Sequence, residues 1–470
     1  MGDLTIRFLG GADEIGASSA VVSAGGTNLL VDCGIRFEAG RALPDLAELS
    51  GRDLDAILVT HAPTDHTGGL PVAHEAFPAV PIHMSPPTED LVRILQKDAL
   101  RLMAEGWERE GEVPLYNETA VESMLHVTRG VKYAESFRIG EVEVTYLPAS
   151  HILGASMVHL ATPAGSVLFT GDYSVEAQRT VPALDRPPLR ADVVITESTY
   201  GDRLHADRKA AERRLITQVR ETLSREGRVL IPAFAIGRAQ EVLLILRTAF
   251  DRGELPEAPV FVDGMVRAVC EVYARHPRYV TNALAKRMRS GHPFYDERIR
   301  PVKSADERKK ALETRPSVIV SSSGMLSGGP SVFYAGELAG HERDAILLTG
   351  YQDEESPGRA LLRLAEAEGP RTLRLGEREI EVRCAFTTYG LSAHADRMQM
   401  VGLVTGLRPE CAVLVHGDAG AKRSLAGSLG LEDVVHAANG DRVVRGYRSR
   451  RRPPPKRREI EIGAEQARRL

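Results

Sequence analysis

Short apolar segments recur along the N-terminal part of the chain and repeatedly stop at a histidine or a carboxylate residue. Glycine punctuates the first of them, which predicts a meander of strands at "LTIRFLGG", "SSAVVSAGG" and "TNLLVDCG". Further strands are predicted at "LDAILVT", "EVEVTYLPASH", "GSVLFTGD" and "ADVVITESTYG". Residues 86–106 and 117–124 are typical of helices.

The middle of the chain changes to an alternation of helices and strands. Helices are predicted over 206–226 and 237–253, with the strand "RVLIPAF" between them. Strand-loop units follow at "PVFVDG", "SVIVSSSG" and "DAILLTGY". Apolar segments that stop at a histidine or a carboxylate then recur at "EVRCAFTTYGLSAHAD" and "CAVLVHGD". No repeat at a fixed period is present. The pattern predicts an α/β protein.

Length and composition narrow the class of protein. The 470 residues can form two or three domains with sizeable cores, and 43% hydrophobic residues is ordinary for a globular protein. No apolar run reaches the roughly 18–20 residues that cross a bilayer, so no membrane partner is expected. The cysteines are far apart and form no C-x-x-C pair, which predicts free thiols and a cytoplasmic location: Cys33, Cys270, Cys384 and Cys411.

The charge is distributed unevenly. Residues 445–458 contain eight Arg or Lys and no acid, so removing them from the net charge of −4 leaves −12 on the rest of the chain. An acidic body with a basic tail presents no large electropositive face, and attraction to a polyanion must come from local clefts or from the tail. A solvated extension, a polyanion contact and a docking segment for a second copy or another protein all remain open for the tail.

The polar residues that follow the predicted strands form a consistent chemical set. Imidazole and carboxylate groups are ligands suited to Zn²⁺ and similar ions. A single histidine after a strand is usually an ordinary solvated or hydrogen-bonded side chain, but a whole series of such residues at strand ends predicts a metal site. The series is Asp32, His61, Asp65, His66, His151, Asp172, Glu197, His394 and His416.

Several of these segments resemble the motifs of a known family. "THAPTDHTGG" is similar to the T-H-x-H-x-D-H loop of the metallo-β-lactamase superfamily, as are "VDCG", "ASHILGAS" and "FTGDYS" to its other metal motifs. Later segments resemble the β-CASP branch of nucleic-acid nucleases: "ESTYGDRLH", "IPAFAIGRAQE", "SSSGMLSGGPS", "LTGYQDEESPGR", "GLSAHAD" and "VLVHGD". The resemblance runs from about residue 5 to about residue 445.

The resemblance implies an αββα metallo-β-lactamase fold with an inserted α/β β-CASP domain. The first domain would be split in sequence, over 1–196 and 386–446. The β-CASP domain would occupy 197–385, and 447–470 would form the basic tail. In this family the implied activity is zinc-dependent hydrolysis of RNA phosphodiester bonds.

The resemblance also implies roles for individual residues. His61 and His151 would bind a first metal, and Asp65, His66 and His416 a second, with Asp172 bridging them and Asp32 orienting an imidazole. Catalytic roles would fall to Asp65, Glu197 and His394, because an imidazole held by a carboxylate is a suitable general acid. Substrate contacts would come from a phosphate cradle in "SSSG" and from the "IGRAQE" motif: Ser321, Ser322, Ser323, Gly324 and Arg238.

One position departs from the family pattern. Pro63 stands where a third histidine would complete His-x-His, and proline has no ligating side chain. The expectation is therefore one tightly bound zinc and a second that is weak or absent. A ribonuclease with an altered first site is favoured over a catalytically silent homologue that binds RNA or a protein partner. A small-molecule hydrolase of the wider superfamily is the third alternative.

Overall fold

The computed structural model describes residues 3–36, 42–366 and 369–445, together with the backbone of Ile460–Ile462. The chain divides into two compact units. Unit 1 consists of Met1–Glu176, Ala183–Leu204 and His394–Leu470. Unit 2 consists of Ala177–Pro182 and His205–Ala393. Apart from the short strand at 460–462, the predicted basic tail lies outside the described residues.

The strands are short, and most follow the apolar segments of the sequence. In chain order they are β1 (Leu4–Gly10), β2 (Ser19–Ala24), β3 (Thr27–Val31), β4 (Ala56–Leu58), β5 (Ile82–Met84), β6 (Thr128–Gly130), β7 (Ser136–Ile139), β8 (Val142–Pro148), β9 (Ser156–Thr162), β10 (Gly165–Phe169), β11 (Val193–Glu197), β12 (Arg228–Pro232), β13 (Val260–Asp263), β14 (Ile299–Pro301), β15 (Ser317–Ser321), β16 (Ala345–Leu348), β17 (Thr372–Leu375), β18 (Arg378–Glu381), β19 (Ala385–Thr388), β20 (Cys411–Val415), β21 (Val434–His436), β22 (Asp441–Arg445) and β23 (Ile460–Ile462).

The helices are α1 (Thr64–Thr67), α2 (Leu70–Ala76), α3 (Pro86–Glu110), α4 (Glu118–His126), α5 (Arg208–Ser224), α6 (Arg238–Asp251), α7 (Val266–Arg275), α8 (Asn282–Met288), α9 (Ala305–Glu313), α10 (Gly329–Leu338), α11 (Pro357–Arg363), α12 (Arg397–Leu407) and α13 (Ala419–Leu429). Among the described residues, even the longest helix lacks the apolar stretch that crossing a bilayer requires.

Unit 1 contains two mixed sheets of similar design. The first has the order β23-β22-β1-β2-β3-β4-β5-β6 and the second the order β21-β20-β11-β10-β9-β8-β7. In the first sheet β1, β2 and β3 are antiparallel, while β3 to β6 run parallel. In the second sheet β7 to β10 are antiparallel, while β10, β11, β20 and β21 run parallel. The parallel halves place several strand ends along one edge of each sheet.

The core of unit 1 lies between these sheets. One buried apolar cluster joins residues of β1 to β4 with residues of β8 to β11 and β20. Helices α12 and α13 contact β11 and β20, and α3 contacts β6. The arrangement is the four-layered αββα fold, as predicted.

Unit 2 is built on a parallel sheet of the order β14-β13-β15-β12-β16-β19. Its central strands are completely buried, as expected when helices cover a parallel sheet. Helices α5, α6, α7 and α10 contact its strands, and β17 and β18 form a separate hairpin. Unit 2 is therefore the predicted α/β insertion.

The boundaries differ from the predicted ones for identifiable reasons. Unit 1 continues to Leu204 instead of ending at 196, because the N–H of Ser198 donates to the carbonyl of His416 and the carbonyl of Arg203 accepts the N–H of Arg397. It resumes at His394 instead of 386, because β19 pairs with β16 in the sheet of unit 2. The segment Ala177–Pro182 groups with unit 2, since the Glu241 side chain accepts the backbone N–H groups of Arg179 and Thr180 at 3.0 and 2.6 Å.

The longest helix continues past its predicted end. Helix α3 is predicted over 86–106 and runs to Glu110. Its start follows local rules, because Ser85 accepts the N–H of Thr88 and Pro86 occupies the first turn. Its end falls at Gly111, whose φ of 69° is the left-handed conformation that commonly closes a helix.

Candidate metal centre

The predicted ligands of unit 1 lie where parallel strands end. Asp32 follows β3 and His61 follows β4 in one sheet, while Asp172 and His416 follow β10 and β20 in the other. Asp32 and His416 have φ values of 58° and 51°, which are uncommon for residues with a side chain. Such backbone conformations cost roughly 1–3 kcal/mol each and tend to cluster at functional sites.

A close backbone contact brings the segment "THAPTDHTGG", called the histidine loop below, to the end of β3. A Cβ atom at Gly34 would lie 1.7 Å from the carbonyl oxygen of Asp65, so only glycine fits there. The contact is secured by the N–H of Cys33, which donates to the carbonyl of His66 at 2.9 Å. The "VDCG" segment thus fixes the position of the two ligands that open α1.

Two groups of ligand atoms converge on Asp172. The atoms of His61, His151 and Asp172 lie within 4.8 Å of one another, and so do those of Asp65, His66 and His416. Oδ2 of Asp172 is 3.4 Å from Nε2 of His61 and 3.8 Å from Nε2 of His66. One carboxylate oxygen therefore lies beside a histidine of each group, which is the position that a bridging ligand needs.

The spacing within these groups fits metal ions better than hydrogen bonds. Nε2 of His61, His66 and His416 is buried and has no hydrogen-bond partner. Nε2 of His416 is 3.5 Å from Oδ2 of Asp65, and Nε2 of His66 is 3.7 Å from the same oxygen. These distances exceed the usual hydrogen-bond range. They approach the roughly 3.3 Å that separates two ligands around a tetrahedral zinc with bonds of about 2.0–2.1 Å.

Space and charge in the group also suit a cation. A cavity of about 60 Å³ is lined by residues that include Asp32, His66, Asp172 and His416. Burial alone would lower the pKa of His66, but Asp65 and Asp32 raise it to about 10. Burial would also lower the pKa of His416, but Asp172 and Asp65 raise it. Acidic groups thus favour positive charge here, and a metal that binds must displace protons.

The carboxylate of Asp32 contacts two residues of the histidine loop. Its Oδ2 is 2.8 Å from Nδ1 of His66 and also accepts the hydroxyl of Thr60 at 2.7 Å. The Thr60 hydroxyl is in turn 3.0 Å from Nδ1 of His61. When Nδ1 donates the hydrogen bond to such a partner, the lone pair is left at Nε2, the nitrogen that faces the other ligands. The sequence prediction missed Thr60, although its place directly before His61 at the end of a strand is a signal for such a role.

His394, which is partly exposed, and the buried Glu197 form a second pair in unit 1. Nδ1 of His394 is 2.8 Å from Oε2 of Glu197. The other oxygen of Glu197 accepts the N–H of Tyr173 at 2.8 Å. Burial would lower the pKa of His394, but Glu197 and then Asp172 raise it to about 9. The His394 ring is 4.6 Å from the ring of His151, so the pair lies beside the first metal group.

Pro63 is accommodated without strain. Its φ of −52° is normal for proline, and its carbonyl accepts the N–H groups of His66 and Thr67 at 2.9 and 3.0 Å. The carbonyl thereby begins α1, and any residue could supply it. The first group is thus limited to His61, His151 and Asp172 by the side chain at position 63 and not by the backbone.

The predicted substrate residues belong to unit 2. Ser321 ends β15 and is fully buried, with its hydroxyl donating to the carbonyl of Ser322, so burial removes it from a direct phosphate contact. Ser322 and Ser323 are partly exposed, and the Ser323 hydroxyl accepts the N–H of Ser327. Gly324 lies close to the backbone of the loop after β12. Arg238 opens α6 after that loop and is largely buried.

Comparison with protein families matches three successive parts of the chain. Residues 12–220 match the metallo-β-lactamase superfamily, and residues 239–361 match the Beta-Casp domain. Residues 379–436 match a family described as the RNA specificity domain of Zn-dependent metallo-hydrolases.

Individual relatives agree with this assignment. The chain is 36% identical over 435 residues to the transcription termination factor FttA of Methanocaldococcus jannaschii, covering 89% of this chain and 68% of that protein. It is 34% identical over 450 residues to the protein of the same name from Pyrococcus abyssi, covering 91% and 68%. A solved protein of unknown function from Enterococcus faecalis superposes with a TM-score of 0.57 at 14% identity, covering 94% of this chain and all of that one, which supports the fold alone.

Proposed function

Because the chain belongs to the metallo-β-lactamase superfamily and carries its Beta-Casp domain, we propose that it is a zinc-dependent ribonuclease that hydrolyses RNA phosphodiester bonds. The observation that carries the proposal is the convergence of two ligand groups on Asp172, with buried Nε2 atoms that lack hydrogen-bond partners. The RNA specificity match and the name of the relatives support RNA as the substrate.

The two groups are unequal. Asp65, His66 and His416 form a group of three, and Asp172, whose Oδ2 is 3.8 Å from Nε2 of His66, would complete a tetrahedral set of four for zinc. His61, His151 and Asp172 offer three, because position 63 is proline. We therefore assign tight binding to the four-ligand set and weak binding to the three-ligand set.

Bound metal would neutralise the phosphoryl oxygens and lower the pKa of a water molecule for attack. The protein residues supply the rest of the reaction. The carboxylate of Asp172 lies beside both groups and would be shared between them, and Asp32 fixes the ring of His66. Glu197 holds Nδ1 of His394, so Nε2 is the atom that would deliver a proton to the leaving oxygen. In unit 2, Ser322, Ser323 and Arg238 are proposed to contact the RNA backbone.

A second candidate function is favoured by one observation. Pro63 removes a ligand from the first group, and a homologue without the chemistry would serve as an RNA-binding or partner-binding subunit. Asp65, His66 and His416 remain assembled beside Asp172, which argues for retained catalysis. We propose that the basic tail adds contacts to RNA or to a protein partner and that the protein acts in the cytoplasm.

The test compares cleavage of end-labelled RNA by the parent protein, Asp65→Asn and Asp98→Asn. Asp65→Asn should lower the rate at least about 100-fold, since metal contributes several kcal/mol to catalysis. Asp98 lies on α3 in an ion pair with Arg101, and its variant should cleave as the parent does. Equal cleavage by Asp65→Asn would contradict a metal mechanism. RNA binding without cleavage by the zinc-loaded parent would establish the silent alternative.

A further inference from the structure

The three candidate ligand histidines whose Nε2 atoms lack hydrogen-bond partners, His61, His66 and His416, share a second feature. In each of them Nδ1 lies beside a polar side chain: the Thr60 hydroxyl for His61, the Asp32 carboxylate for His66 and the Thr199 hydroxyl for His416. Because an imidazole in its neutral form donates from one nitrogen and accepts at the other, these partners decide which nitrogen faces a metal. The first two partners adjoin the histidine loop, whereas Thr199 belongs to none of the ligand loops.

Thr199 lies two residues beyond Glu197, at the end of β11. Its hydroxyl donates to Oε2 of Glu197 at 2.6 Å and lies 3.3 Å from Nδ1 of His416. A hydroxyl has a single hydrogen, and the short contact to the carboxylate takes it. The oxygen can then accept the Nδ1–H of His416, which leaves the Nε2 lone pair directed toward Oδ2 of Asp65, 3.5 Å away.

The same order of groups occurs on the other side of the metal centre. Asp32 accepts the hydroxyl of Thr60, and this oxygen lies beside Nδ1 of His61. In both places a carboxylate orients a threonine hydroxyl, and the hydroxyl orients an imidazole. Each carboxylate also contacts a second histidine directly, His66 for Asp32 and His394 for Glu197. Two independent occurrences favour a functional arrangement over an incidental contact.

We propose that Thr199 is a positioning residue: it holds His416 in the tautomer that binds metal through Nε2 and links the metal centre to the Glu197–His394 pair. The proposal rests on the proposed function in so far as it requires a metal at His416.

The structure also contains the geometry of a competing arrangement. The ligand atoms of Asp172, Glu197 and His416 lie within 4.8 Å of one another, and Nδ1 of His416 is 3.5 Å from Oδ1 of Asp172. In that arrangement Nδ1 would bind the metal and could not donate to Thr199. Loss of the Thr199 hydroxyl would then leave zinc affinity unchanged or increase it. The two arrangements therefore predict opposite effects of one substitution.

The experiment measures the zinc dissociation constant by competition with a chromophoric chelator, without any RNA present. Thr199→Val keeps the shape of the side chain and removes the hydroxyl, and it should weaken the tight zinc roughly 10–100-fold, as loss of a ligand's orienting partner typically does. Thr199→Ser keeps the hydroxyl and should stay within about threefold of the parent. Ser198→Ala is the matched control, because the Ser198 hydroxyl donates to the carbonyl of Val415 at 2.7 Å instead of to an imidazole.

Each result decides the question. Zinc held by Thr199→Val as tightly as by the parent would overturn the proposal in favour of Nδ1 ligation. Equal weakening in Thr199→Ser and Thr199→Val would overturn it as well, because the hydroxyl would then not be the cause. A parent protein without zinc would refute both this proposal and the metal mechanism. A parent that binds zinc but leaves RNA intact would refute only the ribonuclease, and the zinc affinities would still test Thr199.

Discussion

Replacing Pro63 by histidine should create a second stable metal site. Pro63 has an extended backbone, with φ −52° and ψ 155°, and stands two residues after His61. Side chains at positions i and i+2 of an extended segment point to the same side, so a histidine at 63 should join His61, His151 and Asp172. The helix start would survive, because Pro63 contributes its carbonyl and not its ring to the caps of His66 and Thr67.

Two effects of opposite sign determine the stability of this variant. Removing a proline whose φ suits the fold should destabilise the metal-free protein by roughly 0.4–1 kcal/mol, because the unfolded chain gains conformational entropy. Zinc that binds only the folded protein should stabilise it by about 2.7 kcal/mol when free zinc is 100 times the dissociation constant. Pro63→His should therefore melt lower than the parent in chelator and gain more from zinc than the parent does.

Calorimetric melting with and without zinc and elemental analysis after dialysis would measure both effects. Pro63→Ala is the matched control, since it removes the same ring and adds no ligand. We expect Pro63→Ala to show the destabilisation alone, and Pro63→His to retain about two zinc ions per chain and to cleave RNA at least as fast as the parent. If both variants bind zinc as the parent does, a histidine at position 63 does not complete the first metal site. The inference about position 63 is then wrong.

Three further changes test other parts of the molecule. His394→Ala should lower RNA cleavage by roughly 10²–10⁴ with little change in RNA affinity, while His126→Ala, on the exposed end of α4, should change neither; equal cleavage would exclude His394 as the acid. Deleting residues 447–470 should weaken RNA binding and reduce the slope of log affinity against log salt by about 0.7 for each phosphate that the tail neutralises, and an unchanged slope would assign the tail to another partner. Burial, and then Arg129, lowers the pKa of His83 to about 4 from its usual 6.5, so its contribution to stability is complete above pH 6.5 and is lost as the pH falls toward 4. Between pH 7 and pH 5 the parent should lose roughly 1–2 kcal/mol more unfolding free energy in urea than His83→Gln, and parallel losses would show that His83 titrates normally when folded.

The sequence indicated which residues lie together, because residues of metal-ligand type occur directly after its apolar strands. Asp32, His61, Asp172 and His416 each follow an apolar strand, and a strand that ends at a sheet edge exposes the next side chains there. Helix positions were also predictable, since α5 (Arg208–Ser224) and α6 (Arg238–Asp251) lie within the expected 206–226 and 237–253.

Features that depend on contacts between distant segments were not predictable in this way. The assignment of β19 to the sheet of unit 2 depends on its pairing with β16, and the place of Ala177–Pro182 depends on Glu241. Thr60 adjoins His61 in the sequence, but its contact with Nδ1 of His61 appears only in the structure. Thr199 is an ordinary residue in the sequence, and only its distance to His416 gives it a role. Ser321 resembled its neighbours in "SSSG", but the position at the end of a buried strand hides its hydroxyl.

The most direct test of the central claim follows metal content and RNA cleavage in the same sample. The purified protein is dialysed in stages against a strong chelator, and zinc per chain and the cleavage rate of end-labelled RNA are measured at each stage. The arrangement of Asp65, His66, Asp172 and His416 predicts that about one zinc per chain is lost last and that the rate falls in proportion to it. Undiminished cleavage by zinc-free protein, or intact RNA at every zinc content, would contradict the claim.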